Sequence, residues 1–238
     1  MQLYIGKIQG NFAELGTEET QHFSKVLRGK IGQEIFVTDG FGKLAKGKVS
    51  QINSKTIEVD LDEIQENFEQ RPYKIHVAIA PTKSMERIEF FLEKSTEIGI
   101  DEISFLKSFH SERKNVNLER CQKIVQSAVK QSLKAYVPQI NDWVKFSDFI
   151  KKNHSENKLI AHCDSNFERT EFQKIIQPKK NYLILIGPEG DFSKEEIQLA
   201  ETNGFTGISL GNQRLRTETA ALNAVFGINW VNLNPINY

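Results

Sequence analysis

Apolar and polar positions follow two rhythms along the chain, and the change falls near Arg71-Pro72. Upstream, EIFVTDGFGKLAKGKV alternates around Asp39-Gly40 and TIEVDL continues the period of two, as half-buried strands joined by tight turns do. One helix is predicted to interrupt this β-rich module, because Thr17-Glu18-Glu19-Thr20 reads as a helix start ahead of the apolar positions Phe23, Val26 and Leu27. The acidic stretch DEIQENFEQRP then marks a boundary that divides residues 1–71 from 72–238. Downstream, the apolar runs KIHVAIA, EISFLKS, KLIAHC, YLILIG and GISLG alternate with amphipathic segments. Met85, Ile88 and Leu92 share one helical face, as do Leu118, Cys121, Val125 and Ala128. Strands apolar throughout and separated by helices predict an α/β domain whose parallel sheet is covered on both sides. Ligands of such sheets bind beyond the carboxyl ends of the strands.

Charge adds a local signal rather than a global one. The 31 basic and 31 acidic residues cancel, so no overall nucleic-acid signature exists. Residues 22–48, however, hold six Lys or Arg, among them Lys25, Arg28 and Lys30, against Glu34 and Asp39. Residues 107–134 hold seven, including Arg113, against Glu112 and Glu119. Such runs are commonly solvated faces, and two of them also suit a polyanionic partner. Two cysteines, Cys121 and Cys163, fit no zinc spacing and suggest a reducing compartment. With no apolar run approaching a membrane span and no signal-peptide core, the expectation is a cytoplasmic protein with no metal and no membrane partner.

Several short motifs carry little. Gly42 to Lys48 nearly spells a Walker A loop, but Val49 stands where Ser or Thr would hold magnesium, and the flanks alternate like a hairpin. His162-Cys163-Asp164 ends a strand without a second ligand cluster, which favours a structural role over a metal or thiol site. His110, in the basic segment Phe109 to Lys114, reads as a surface histidine, with RNA contact as the alternative.

YLILIGPEGDFSKEE is more informative. A buried strand, Tyr182 to Ile186, stops at Gly187-Pro188-Glu189-Gly190, a tight turn, and Ser193 with Glu196 forms a capping box for the next helix. The following strand also ends in a glycine loop, Leu210-Gly211, which runs through Arg214 and Arg216 into a helix opening Thr217-Glu218-Thr219-Ala220. Two glycine loops let backbone approach a planar ligand closely, and guanidiniums beside a helix N-terminus suit an anionic or electron-rich one.

The segment IGPEGDFSKEEIQLAETNGFTGISLGNQRLRTETAAL closely resembles the C-terminal signature of the bacterial 16S ribosomal RNA uracil-N3 methyltransferases, the RsmE family of the SPOUT superfamily. HFSKVLRGKIGQEIFVTDGFGK resembles that family's N-terminal PUA-like RNA-binding module, and KSMERIEFFLEKSTEIGIDEI its first methyltransferase-domain helix. The resemblance implies a SPOUT-type parallel sheet with a C-terminal trefoil knot and a small PUA-like β-barrel. It implies S-adenosylmethionine as methyl donor, ribosomal RNA of the small subunit as substrate, and a homodimer with active sites near the subunit interface. The cofactor would lie against Gly187, Pro188, Glu189 and Gly190, against Leu210 and Gly211, and against Leu215, Thr217, Thr219 and Ala220. Arg216 would hold the substrate as uracil loses its N3 proton, with Glu189 and Glu218 as the acids able to handle that proton. Lys25, Arg28, Lys30 and Arg113 are the expected RNA contacts. The chain departs from the family pattern in three places: Asp191 where a glycine is common, Lys130 and Lys134 in place of an acid and an arginine, and the less typical Asn212-Gln213. Competing functions are another SPOUT methyltransferase, acting on a ribose or on transfer RNA, and a non-catalytic ribosome-assembly factor.

Overall fold

The computed structural model describes residues 2–113, 115–152 and 157–233, so Lys114 lies outside the described residues. The chain forms two compact units, one of residues 1–70 with 126–137 and the other of 71–125 with 138–238. Residues 126–137 thus group with the first unit, although they follow the sequence break near residue 71. They return to the first unit through backbone pairing: Gly42 N–H donates to the Ala135 carbonyl at 2.9 Å, Val137 N–H to Gly40 at 2.9 Å, and the Thr38 hydroxyl to Ala135 at 3.1 Å.

In the first unit, β1 (Leu3–Gln9), β2 (Phe12–Leu15), β3 (Glu34–Thr38), β4 (Leu44–Ile52) and β5 (Ile57–Gln65) close a barrel in the order β1-β2-β5-β4-β3. The expected alternation is present: Ile35, Val37, Val49, Ile57 and Val59 point inward with Tyr4, Leu15 and Phe23. Asp39 closes the β3–β4 turn by accepting from the N–H groups of Phe41 (2.8 Å) and Lys43 (3.1 Å). The expected helix is α1 (Thr17–Gln21), and it runs into a π-helical turn over His22–Val26. Its N-cap is Gly16 without a side-chain cap, and the anticipated apolar face is divided: Phe23 is buried whereas Val26 and Leu27 are exposed. The π turn shifts residues after Phe23 off a 3.6-residue face.

The second unit carries a seven-stranded, all-parallel sheet. Its strands are β6 (Ile75–Ile79), β7 (Glu102–Lys107), β8 (Gln139–Lys145), β9 (Asn157–Ala161), β10 (Thr170–Glu171), β11 (Tyr182–Ile186) and β12 (Thr206–Ser209), in the order β10-β12-β9-β11-β6-β7-β8. The helices are α2 (Met85–Ile98), α3 (Leu118–Gln131), α4 (Phe146–Ile150), α5 (Phe172–Ile175), α6 (Lys194–Thr202) and α7 (Thr217–Asn232). α3 starts in this unit and ends in the first. One sheet face presents Leu183, Leu185 and Ala78 to α4 and α6. The alternate residues of β11, Tyr182, Ile184 and Ile186, are equally buried, and α7 runs against β6 and β11 while packing on α2. Every residue of β11 is therefore apolar and covered, as expected of a central parallel strand.

Candidate functional site

Three loops leave the carboxyl ends of β9, β11 and β12 and meet the start of α7, enclosing a cavity of about 660 Å³. That is the size of a site for a cofactor-sized ligand. Gly187, Pro188, Glu189 and Gly190 line it, as do Leu210, Gly211, Leu215, Arg216, Thr217 and Ala220. Thr219 points to solvent and Glu218 is 7% exposed, so neither of these two anticipated residues lines the cavity. On a helix, adjacent residues face different directions; Thr217 and Ala220 share the ligand side and exclude the two between them.

The β11 loop turns sharply, Asp191 N–H donating to the Pro188 carbonyl at 3.0 Å. Asp191 adopts φ 63°, a left-handed conformation that Asp tolerates better than most residues. Its carboxylate accepts from its neighbour Phe192 N–H (2.8 Å) and from Cys163 N–H at the end of β9 (2.6 Å). The departure from glycine thus keeps the backbone shape and adds a tie between two of the loops. Behind the turn, His110 Nδ1 lies 3.0 Å from the Asp191 carbonyl oxygen, and a Cβ on Gly190 would come within 2.9 Å of the His110 Cβ. The predicted capping box is present at Ser193 and Glu196. Glu196 also accepts from Phe109 N–H at 2.9 Å, fixing the 108–111 loop beside the turn.

Arg216 is the N-cap residue of α7, exposed, with extended backbone and a carbonyl that accepts from Ala220 N–H at 2.8 Å. Its guanidinium therefore stands at the cavity where the helix presents unpaired N–H groups. Gly211 has φ 124°, and a Cβ there would meet nothing within 4 Å; backbone conformation, not crowding, requires glycine.

Two residues that sequence reasoning passed over complete the site. Arg87, on α2, lines the cavity with Nε 3.9 Å from Glu218 Oε1 and Nη1 3.9 Å from Glu189 Oε1. Glu189 also accepts from Lys83 N–H at 3.2 Å, while Glu218 Oε2 is buried without a hydrogen-bond partner. The two acids thus differ: Glu189 faces the cavity, and Glu218 stands behind it against Arg87. His162, given only a structural role from sequence, lines the cavity, is 4% exposed, and has no hydrogen-bond partner for either ring nitrogen. Burial holds its imidazole below the ordinary value of 6.5, so the neutral ring is favoured. Two unsatisfied buried nitrogens at a cavity wall are what a polar ligand would satisfy.

Elsewhere, Lys25, Arg28 and Lys30 are exposed on the barrel unit, beside exposed Val26, Leu27 and Ile31. Arg113 is engaged within its own unit: Nε donates to the Thr82 carbonyl at 3.1 Å and Nη2 to that of Lys83. It therefore braces the loop that supplies the Lys83 N–H to Glu189. Lys130 forms a 2.8 Å ion pair with Glu19 inside the first unit, which commits its charge to folding.

Known proteins resemble this chain in sequence and fold. A family model for an RNA methyltransferase domain matches residues 69–229, and one for an RNA methyltransferase PUA domain matches residues 15–62. The ribosomal RNA small subunit methyltransferase E of Buchnera aphidicola is 30% identical over 90% of this chain and 86% of its own. The crystal structure of a probable rRNA-methyltransferase from Porphyromonas gingivalis is 36% identical, covering 98% of each chain at a TM-score of 0.88. The ribosomal RNA small subunit methyltransferase E from Neisseria gonorrhoeae, solved bound to S-adenosyl methionine, is 27% identical over 98% of each chain at a TM-score of 0.81. By the matched domain and these relatives, the chain belongs to the RNA methyltransferase family, in the group named ribosomal RNA small subunit methyltransferase E.

Proposed function

We propose that this protein methylates N3 of a uridine in 16S ribosomal RNA of the small subunit, using S-adenosylmethionine. The observation that carries this reading is the cavity of about 660 Å³ built from the Gly187–Gly190 turn, Leu210-Gly211 and the Leu215–Ala220 helix start, on a chain of this family. The residues present fit the cofactor: glycine loops allow close backbone approach, and His162 offers two buried nitrogens without partners.

S-adenosylmethionine supplies the methyl group from its sulfonium centre. This chain's own residues handle the uracil. N3 of neutral uracil bears a proton, and Glu189, an acid of the cavity lining, would receive it as N3 becomes the nucleophile. Negative charge delocalised from N3 onto the flanking carbonyl oxygens meets Arg216 and the α7 N-terminus. Arg87 and Glu218 hold each other and keep Glu189 oriented.

The exposed patch of Lys25, Arg28 and Lys30 on the PUA-type unit suits phosphate contacts with the substrate. Arg113 contributes by bracing the Glu189 loop. The protein would act in the cytoplasm as a homodimer, and the dimer accords with the stacked aromatics that α7 leaves exposed, Phe226 and Trp230, whose rings lie 5.7 Å apart. A knotted C-terminal segment accords with the strand order β10-β12-β9-β11, in which consecutive strands are not neighbours.

Calorimetric titration with S-adenosylmethionine tests the assignment of the site. The expected outcome is one saturable site per chain that Gly211→Val abolishes or greatly weakens, because valine resists a φ of 124°. A folded wild-type protein without affinity would overturn it.

A further inference from the structure

The cavity at the carboxyl ends of the strands leaves a second and larger one unexplained. At the opposite, amino-terminal edge of the parallel sheet lies a recess of about 1050 Å³, bordered by the starts of β6, β9 and β11, by β7 and by β8. Four lysines line it: Lys74 ahead of β6, Lys152 after α4, and Lys179 and Lys180 ahead of β11. All four are exposed and, among the described residues, none makes an ion pair. Two acids share the lining, so the four lysines leave it with an excess of positive charge. Glu102 accepts from Asn141 Nδ2 at 2.6 Å and lies 3.7 Å from His76 Nε2, while Asp142 accepts from the Trp143 backbone N–H at 2.6 Å. Beneath the lysines, His76 Nε2 and Ser104 Oγ are 2.8 Å apart, and Asn141 donates to Ser104 at 2.9 Å. Half-buried Trp143 adds an aromatic surface to the lining.

Four ammonium groups against two carboxylates give the recess a positive balance that favours an anion shared between the lysines. A recess of this size exceeds what a single phosphate fills, and a tryptophan beside cationic groups is the combination that grips single-stranded nucleic acid: lysines on phosphates, a ring beneath a base. We propose that the amino-terminal edge of the sheet is a second RNA site, taking a single-stranded, phosphate-bearing segment of the substrate away from the nucleotide being modified. The inference rests on the methyltransferase reading for its choice of RNA. It goes beyond that reading because the recess lies across the sheet from the cofactor cavity.

The test uses the full chain and a fluorescently labelled 20-nucleotide single-stranded RNA, followed by anisotropy across a salt series. The variant Lys74→Gln/Lys179→Gln/Lys180→Gln is expected to weaken binding on the order of tenfold and to reduce the steepness of the salt dependence by about 2, since each single-strand phosphate contact contributes about 0.7 to the slope. Trp143→Leu is expected to weaken binding about five- to a hundredfold and Trp143→Phe to restore most of it, because a ring is retained. Unchanged RNA affinity and slope in the lysine variant would overturn the proposal. So would lysine-dependent binding of ATP, used as a free-nucleotide probe, with no effect on the 20-mer; the recess would then serve a mononucleotide. If the lysines only complement helix ends, the variant lowers Tm while RNA binding stays intact, which also overturns it. Calorimetry with S-adenosylmethionine on the same proteins keeps the two claims apart: cofactor affinity is expected to be unchanged in the lysine variant. Its absence from wild type would refute the methyltransferase reading instead.

Discussion

Arg216 and His162 show how much a single residue's surroundings decide. Arg216 was legible in sequence because LRTETA joins a guanidinium to a helix start, and the structure places it at the cavity as the N-cap of α7. If it stabilises charge developing on uracil, Arg216→Ala is expected to lower turnover by ~100- to 1,000-fold while cofactor affinity changes far less. Arg216→Lys should fall between, keeping charge and losing the planar fork. Normal methylation by folded Arg216→Ala would remove the residue from the chemistry. His162 was not legible: a lone histidine after a strand looks like core, and only the lack of partners for both buried nitrogens marks it. Its folded-state imidazole titrates below the ordinary 6.5, chiefly because it is buried. Between that depressed value and 6.5 the unfolded chain binds the extra proton, so its contribution to stability is complete above pH 6.5 and is lost as pH falls through the window. Thermal unfolding of the ligand-free protein from pH 7 downward should show this decline, and His162→Asn should flatten it. An equally steep decline in the variant would assign the effect to other groups. Arg87 gave no sequence signal at all, since its meaning depends on two carboxylates more than a hundred residues away.

Elements in the middle of the sheet were readable and those at its edges were not. β6, β7, β9, β11 and β12 appear as apolar runs because neighbours and helices cover them. β8 lies at one edge, and QINDWVK keeps few apolar residues; β10, at the other edge, is two residues long. A strand paired on one side has less need of a continuous apolar run. α7 poses the opposite problem. Its inner residues Ala221, Ala224, Val225 and Ile228 are buried, yet Phe226, Trp230 and Leu233 are 53%, 63% and 63% exposed, with Phe226 and Trp230 stacked at 28°. Apolar exposure of this extent on a well-packed helix suits association with a second copy. Light scattering should give the mass of a dimer, and Phe226→Lys/Trp230→Glu should give that of a monomer with unchanged helical content. A wild-type monomer at micromolar concentration would show that these rings serve another purpose.

At the scale of the whole molecule, the alternation of strand and helix was enough for a parallel α/β sheet and a separate β-barrel, and the glycine loops located the cavity at the carboxyl edge. Hidden from that pattern was the return of residues 126–137 to the first unit, because Ala135 and Val137 are tied to it by backbone groups that leave no trace in side-chain periodicity. The central claim joins cofactor, substrate and atom: a methyl group passes from S-adenosylmethionine to uridine N3 in small-subunit ribosomal RNA. It is tested most directly by incubating the protein with small subunits from cells lacking it and S-adenosylmethionine labelled in the methyl group, digesting the RNA and separating the nucleosides. The account predicts label in 3-methyluridine from 16S RNA and, with Arg216→Ala, very little of it. Label in a ribose-methylated nucleoside or in transfer RNA alone, or no transfer by a protein that binds the cofactor, would contradict it.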